Sequence, residues 1–172
     1  IQTWIALPRA EEEREPSFAH HGVASLPRVE RPGVILTVIA GTAYGEQSPV
    51  DVFAPTLYVD ARLADEAVLE VPDEHVQRAC YVAQGRIEIA GQAYGEGQFI
   101  VLASAAGPVS MRALETARVM LAGGAPLDGP RHLYWNFVSS TRERIEVARR
   151  DWRERKFAPV PGDADRIPLP DE

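Results

Sequence analysis

The chain has 172 residues, enough for one good hydrophobic core or for one core with extensions. With 45% hydrophobic and 25% charged residues, its composition is that of an ordinary globular protein. The formal net charge of −7, with no segment that gathers basic residues, argues against direct binding to a nucleic-acid backbone.

Three features indicate a cytoplasmic protein without a membrane span. The longest apolar run, 34–40, is much shorter than the roughly 20 residues that a membrane-spanning helix needs. The single cysteine, Cys80, excludes an internal disulfide and is typical of a reducing compartment. The first eight residues lack the basic start of a secretory signal.

The chain begins with a predicted strand, residues 1–7, and no initiator methionine precedes it. We therefore expect the chain to be part of a longer protein. Residues 9–16 form a charge run that ends in proline, which predicts a solvated linker. Residues 17–32 are predicted to be irregular, because two prolines interrupt regular pairing there.

Two strands are predicted next. The β-branched run 34–40, closed by Gly41, indicates a strand buried on both faces. Residues 57–63 alternate between apolar and polar side chains, the pattern of a strand with one buried face. Asp60 and Arg62 are expected on its solvated face.

Residues 80–102 contain further short strands separated by glycines. We predict a strand, a turn at Gly85, a strand, a turn at Gly91 and a corner at Gly95 and Gly97 before the last strand, because glycine reaches positive φ without steric strain. This run resembles the central hairpin of a cupin domain.

The remaining strands complete an all-β pattern. Residues 108–114 and 116–122 are predicted to pair with each other around Glu115, and 131–138 to form one more strand. Eight to ten short strands at these spacings are typical of a sandwich or barrel.

One helix and an extended tail follow. Ser140 and Glu143 have the spacing of a capping box. Ile145, Ala148 and Trp152 then form an apolar stripe at helical spacing. Several prolines after residue 157 prevent both a helix and a central strand, so this tail is expected to lie across the surface or to be disordered.

These motifs resemble those of pirin-like proteins. The resemblance rests on LYWNFVSSTRERI at 133–145, the IPLP ending at 167–170, GVILTVIAG at 33–41 and QTWIALP at 2–8. It implies a cupin double-stranded β-helix, a jelly-roll barrel, with one C-terminal α-helix and an extended Pro-rich tail.

The resemblance also implies a division of the chain. Residues 1–32 would be an N-terminal strand and a linker that belongs to, or leads from, a first cupin. Residues 33–138 would be the cupin barrel, and residues 139–172 the C-terminal helix and tail. Pirin-like proteins have two cupins in tandem, the first with a non-haem iron on three His and one Glu and the second usually without metal.

The family's metal motif is absent from this chain. Aligned from Gly85 backwards, its four ligand positions hold Val71, Asp73, Gln77 and Ser110, and one usable ligand in four does not make an iron site. The four histidines, at 20, 21, 75 and 132, are interpreted as scattered or locally bonded. We therefore predict no metal, cofactor-binding or catalytic residues in this chain, with Fe(II) in a first cupin if one exists.

Other reactive side chains have structural interpretations. Cys80 in a strand is more often packing than a nucleophile. Ser139 and Ser140 are better explained as helix caps, since no Gly-x-Ser-x-Gly elbow is present. Trp135 and Trp152 are interpreted as core rather than as ligand-stacking residues.

Three hypotheses of function follow. In the first, the chain is the metal-free C-terminal cupin of a pirin-like protein, a structural and interaction half that stabilises the other half. In the second, it is part of an iron-dependent quercetin 2,3-dioxygenase-like enzyme whose active site lies in the N-terminal cupin. In the third, it is a single cupin that binds a small ligand.

The expected partner is the protein's own N-terminal cupin. A homodimer or a strand swap of residues 1–8 onto another copy, giving a dimer or an extended association, is also expected, because an exposed edge strand is prone to pairing. The sequence does not identify a substrate or a physiological partner.

Overall fold

The computed structural model describes residues 1–103, 107–159, 161–162, 165 and 167–170. The chain forms two compact units. We call Glu15–Pro126 the barrel unit, and Ile1–Arg14 together with Leu127–Glu172 the terminal unit. The predicted division of the chain at residues 33 and 139 stays a prediction; in the structure a strand begins at Arg28, and the hairpin before residue 139 belongs to the terminal unit. The predicted role of residues 1–32 as a link to a first cupin stays a prediction.

The barrel unit consists of antiparallel strands in two sheets. Its strands are β1 (Arg28–Arg31), β2 (Val34–Ala43), β3 (Glu46–Gln47), β4 (Thr56–Leu63), β5 (Val68–Val71), β6 (Gln77–Gln84), β7 (Arg86–Ile89), β8 (Gln92–Gly95), β9 (Phe99–Leu102), β10 (Val109–Ala113) and β11 (Ala117–Gly124). The large sheet has the order β1-β2-β4-β11-β6-β9, with β3 paired to β2, and the small sheet the order β5-β10-β7-β8. The predicted all-β jelly roll is confirmed.

The inner faces of the two sheets share one apolar core. It includes these side chains of both sheets: Leu36, Val59, Val82, Leu121, Leu69, Ile87 and Met111. The predicted alternation in β4 is confirmed, since Leu57, Val59 and Leu63 are all buried. In β2 the outward side chains are only half-buried, so the prediction of a strand buried on both faces was wrong. Hydrophobic, β-branched side chains also suit a half-covered outer face.

Two connections carry the chain from one sheet to the other. Strands β10 and β11 lie in different sheets, so the predicted pair around Glu115 was wrong. Strands β6 and β7 likewise do not pair, and Gly85 (φ +77°) is the corner between them. A Cβ at Gly85 would lie 2.4 Å from the Thr116 carbonyl oxygen, so the two corners touch each other.

Gly41 brings β2 against the start of β4. Its φ is +75°, and a Cβ there would lie 1.8 Å from the carbonyl oxygen of Thr56. Only glycine permits this backbone-to-backbone approach.

The terminal unit contains the short strands β12 (His132–Tyr134) and β13 (Phe137–Ser139) and the helix α1 (Arg142–Arg153). The strands form a hairpin with Trp135 at φ +50° in its turn, so the prediction of one strand over 131–138 was wrong. Residues 1–8 do not form the predicted strand either. The Leu7 carbonyl instead accepts hydrogen bonds from the Arg131 side chain, at 2.7 and 3.2 Å.

Helix α1 is capped one residue later than predicted. Thr141 Oγ1 accepts a hydrogen bond from the Arg144 amide at 3.2 Å, while the Ser140 hydroxyl donates to Glu12 at 2.8 Å. Ile145 and Ala148 are buried, as the apolar stripe predicts. Among the described residues, no helix is both long enough and apolar enough to cross a membrane.

Candidate functional site

The four positions aligned with a cupin metal site do not converge in the barrel unit. Val71 is fully buried in the core, whereas Asp73, Gln77 and Ser110 are exposed. In β10 the neighbour of Ser110, Met111, is the residue that faces inward. Within the described ranges no group of three or more His, Cys, Asp and Glu side chains could hold a metal ion. These residues do not fit the iron that the fold family implies.

A buried arginine lies where the metal motif would run. Arg78 follows Gln77 in β6, faces inward with Cys80 and Val82, and is 2% exposed. Its guanidinium donates to the carbonyl oxygens of Pro72 at 2.9 Å and of Val71 and Ala103 at 3.4 Å. The side chain therefore connects the ends of β5 and β9 through neutral acceptors.

The Nε group of Arg78 is buried without a hydrogen-bond partner. No carboxylate among the described residues forms an ion pair with this guanidinium. Sequence reasoning missed Arg78, although its place in the alternation with Cys80 and Val82 was the signal that it faces inward.

The histidines have separate environments. His75 is buried and its Nε2 lies 3.0 Å from the Thr42 carbonyl oxygen. His20 is exposed and His21 half-buried in the segment before β1, and His132 begins the hairpin of the terminal unit. They do not assemble into a ligand set in the described part of the chain.

Two weak acids of the barrel unit, the buried Cys80 thiol and the half-buried Tyr44 hydroxyl, are held in their neutral forms. Burial raises the pKa of the Cys80 thiol to about 12, which leaves little thiolate for nucleophilic chemistry. Burial also raises the pKa of Tyr44, whose hydroxyl donates to the Glu70 carbonyl at 3.0 Å. Neither group is poised for acid-base or nucleophilic catalysis.

Asp60 was predicted to be solvated, and that prediction was wrong. It is 7% exposed, and its two carboxylate oxygens accept from Arg118 at 2.9 and 2.7 Å. This hydrogen bonding raises the pKa of Arg118. The pair joins the neighbouring strands β4 and β11, although Asp60 and Arg118 are 58 residues apart in sequence.

The terminal unit contains an open apolar cleft of about 530 Å³. We call it the apolar cleft; its main apolar lining residues are Trp4, Ile5, Leu7, Leu127, Leu133 and Val138. Trp4 is 53% exposed, Ile5 55% and Leu133 66%. Single exposed apolar side chains are common, but large ones that are exposed side by side often mark a surface that contacts another molecule.

An ion-pair network fixes the chain beside the apolar cleft. The Arg131 side chain, 4% exposed, contacts Asp128 Oδ1 at 2.6 Å and Glu12 Oε1 at 2.8 Å. Glu13 forms a second pair with Arg144 at 2.6 Å. Part of the predicted solvated charge run is therefore bound, and it holds residues 1–14 against the hairpin and helix of this unit.

Aromatic side chains form a second cluster in the terminal unit. Trp135 and Trp152 have ring centroids 5.1 Å apart, and Phe137 and Phe157 stack at 5.7 Å. Both tryptophans are half-buried, which agrees only in part with the core prediction. The Trp152 indole donates to the Ile167 carbonyl at 2.9 Å, so the described part of the tail lies across this surface.

Comparisons with known proteins agree with the fold. A family model described as "Pirin C-terminal cupin domain" matches residues 58–158. A pirin-like protein of Caulobacter vibrioides is 43% identical over 99% of this chain and 59% of its own length. Pirin of Rattus norvegicus is 29% identical over 91% of this chain and 56% of its own length.

A solved structure is similar over nearly the whole chain. The crystal structure of quercetin 2,3-dioxygenase from Acinetobacter baumannii has a TM-score of 0.87 and 28% identity, covering 97% of this chain and 56% of that protein. The chain thus spans 56% to 59% of the length of these three relatives.

Proposed function

This chain belongs to the pirin family and contains its C-terminal cupin domain, and from that premise we propose that it is a metal-free structural half of a two-cupin protein. In this proposal it stabilises a first cupin and offers the apolar cleft as the docking surface. Any catalytic chemistry belongs to the first cupin, and the protein works in the cytoplasm, as the single cysteine predicts.

The observation that carries the metal-free part is Arg78. Its fixed positive charge lies beside Val71 and Gln77, two of the positions aligned with metal ligands. Two like charges repel strongly in a low-dielectric interior, so this cation opposes the entry of a metal ion. The inward side chains of β5 and β10, Val71 and Met111, offer no nitrogen or oxygen ligand in its place.

The docking part rests on the apolar cleft. Trp4, Ile5 and Leu133 are more than half exposed in one small unit. More than 40% of each relative's own sequence lies outside the matched part, since the chain spans 56% to 59% of their lengths. We assign the cleft to that additional half, because burying these side chains would be favourable.

Metal analysis tests the first part of the proposal. The purified chain is incubated anaerobically with Fe(II), desalted and analysed for iron. We expect iron far below one atom per chain. Iron near one atom per chain would contradict the proposal, and the variant Arg78→Met then shows whether the cation limits binding at all.

Co-purification tests the docking surface. The first half of the pirin-like protein of Caulobacter vibrioides is co-expressed with tagged versions of this chain. Leu133→Glu should reduce the co-purified amount about tenfold or more, because a buried charge is strongly unfavourable. Phe18→Glu is the matched control, since Phe18 is 92% exposed but lies in the barrel unit. Equal co-purification of both variants would sink the docking assignment.

A second function is supported by the similarity to the quercetin 2,3-dioxygenase of Acinetobacter baumannii. In this reading the longer protein is an iron-dependent dioxygenase, and the present chain is its non-catalytic part. Oxygen uptake with quercetin is measured for this chain and for a protein with both halves. Activity in the longer protein alone supports the reading, and activity in the 172-residue chain contradicts it. The small-ligand hypothesis stays a prediction.

A further inference from the structure

The two outer strands of the large sheet are protected very differently. Strand β1 carries three charged residues, with Arg28 and Glu30 in an ion pair at 2.8 Å. Pro27 and Pro32 flank it on either side. Charges and prolines are the usual means by which natural sheets prevent pairing with another chain.

Strand β9, at the other edge, has neither kind of protection. From Gln98 to Ala103 the sequence contains no charge and no proline. Phe99 is 61% exposed and Val101 is 76% exposed, both on the outer face of the sheet. The other outer strands differ, since β5 carries Glu70 and β8 has no large exposed apolar side chain.

The backbone of β9 also has unpaired groups on its open side. Val82 donates to the Gln98 carbonyl at 3.0 Å, which fixes the phase of the hydrogen bonds between β6 and β9. Because these bonds alternate along an antiparallel pair, Ile100 and Leu102 bond to β6, whereas the amides and carbonyls of Phe99 and Val101 point away from it. In the described part of the chain, β9 pairs only with β6.

We propose that β9 is a self-association edge that pairs antiparallel with β9 of a second copy. A two-fold axis at Ile100 places Phe99 opposite Val101 of the partner subunit, and the reverse pair follows by symmetry. This register joins the two exposed apolar side chains on one face and lets their free amides and carbonyls exchange hydrogen bonds.

A second copy is the occupant that fits the charge distribution. Two chains of net charge −7 repel each other over most of their surfaces. Along β9 this repulsion is weakest, because the strand contains no charge. Residues 1–8 do not form a strand that could swap onto another copy. The proposal therefore places the expected dimer contact at β9 instead.

The proposed interface buries little surface, so the fraction of dimer should depend on protein concentration. A strand of four residues buries less than the roughly 1,200–2,000 Å² of a standard stable interface. Sedimentation velocity across a wide concentration range should show a reversible rise from the mass of one chain to that of two. The mass of one chain at every concentration would overturn the proposal.

A charged substitution locates the interface. Val101→Lys should weaken dimerisation about tenfold or more, because each lysine would replace the apolar contact with Phe99 of the partner subunit and would lie diagonal to a second like charge. The fold should persist, since Val101 is 76% exposed. Phe18→Lys introduces the same charge at an exposed apolar site that lies outside every strand, and it should leave the dimerisation constant nearly unchanged. Equal effects of the two substitutions would contradict the proposal.

Amide exchange measured by NMR gives an independent readout. Exchange at Phe99 and Val101 should slow as concentration rises, whereas exchange at Ile100 and Leu102 should be slow at every concentration. If Phe99 and Val101 are protected even at high dilution, another part of the chain covers this edge and the proposal is wrong. If a dimer forms while both amides exchange freely, the interface lies elsewhere and the proposal is equally wrong.

Discussion

The barrel unit and the terminal unit are stabilised by different interactions. The barrel unit closes two sheets over an apolar core in which Leu36, Val59 and Leu121 are fully buried. The terminal unit has one short hairpin and one helix, held by ion pairs such as Arg131–Asp128 and by an aromatic cluster. It also leaves Trp4 and Leu133 exposed. The difference indicates that a continuous apolar core stabilises the first unit, whereas ion pairs and aromatic contacts stabilise the second.

The largest expected effect is a difference in stability between the same substitution made in the core and made in the apolar cleft. Leu121→Ala in the barrel unit should lower the free energy of unfolding by about 2–5 kcal/mol, because it leaves a cavity in a fully packed core. Leu133→Ala in the apolar cleft should change it by only about 0.5 kcal/mol or less. Urea unfolding followed by circular dichroism measures both, and equal losses would contradict the comparison.

Breaking the ion-pair network around Arg131 should destabilise the terminal unit and leave the stability of the barrel unit unchanged. Arg131→Met leaves the half-buried Glu12 carboxylate without its cation, and we expect the terminal unit to lose up to about 3 kcal/mol. All three tryptophans lie in this unit, so their fluorescence reports on it separately.

The matched control is Arg118→Met, which removes the partner of Asp60 in the barrel unit. It should shift the circular dichroism transition of the sheets and leave the tryptophan signal in place. If both variants move both signals together, the two units unfold as one and the comparison fails.

Acid should act on the terminal unit first. Hydrogen bonds from Arg131, and then from the Arg9 amide, lower the pKa of Asp128, and Arg144 lowers that of Glu13. Folded pKa values below the unfolded ones mean that this stabilisation is complete above the ordinary values and disappears as pH falls through the folded values, below about 4. Tryptophan fluorescence should therefore change at a higher pH than circular dichroism. The gap should narrow in Glu13→Gln.

Thiol labelling should have the smallest effect on stability, and it compares how readily a reagent reaches each of the two units. Cys80 should resist a thiol reagent at pH 8 until the barrel unit unfolds, since its thiol is buried and its pKa is about 12. A cysteine introduced by Leu133→Cys should react at once, because that position is 66% exposed. Rapid labelling of native Cys80 would mean that the barrel opens far more readily than its packing indicates.

Local patterns in the sequence predicted most strands of the barrel unit and the helix, but they did not predict which strands pair, nor the structure of residues 1–8 and 131–138. The alternation over 57–63 and the stripe of Ile145 and Ala148 predict β4 and α1, because burial follows the period of each element. Strands β10 and β11 have correct alternation as well, yet they lie in different sheets. A turn that crosses between sheets and one that closes a hairpin leave the same alternation on either side.

The candidate site shows the same limit. That Val71, Asp73, Gln77 and Ser110 lack ligand chemistry is visible in the sequence alone. The Asp60–Arg118 pair and the apolar cleft are not, because each joins residues far apart in the chain. Arg78 lies between these cases, since its phase with Cys80 predicts an inward side chain but not its carbonyl partners.

Gly41 has a consequence for how this fold tolerates genetic change. Any side chain there would overlap the Thr56 backbone, so a saturation library should return glycine alone at this codon. Gly91 has a similar φ of +79° but open space around a Cβ, so asparagine and aspartate should survive there. Among diverging homologues, the first glycine should therefore remain a fixed landmark for the junction of β2 and β4, while the second drifts.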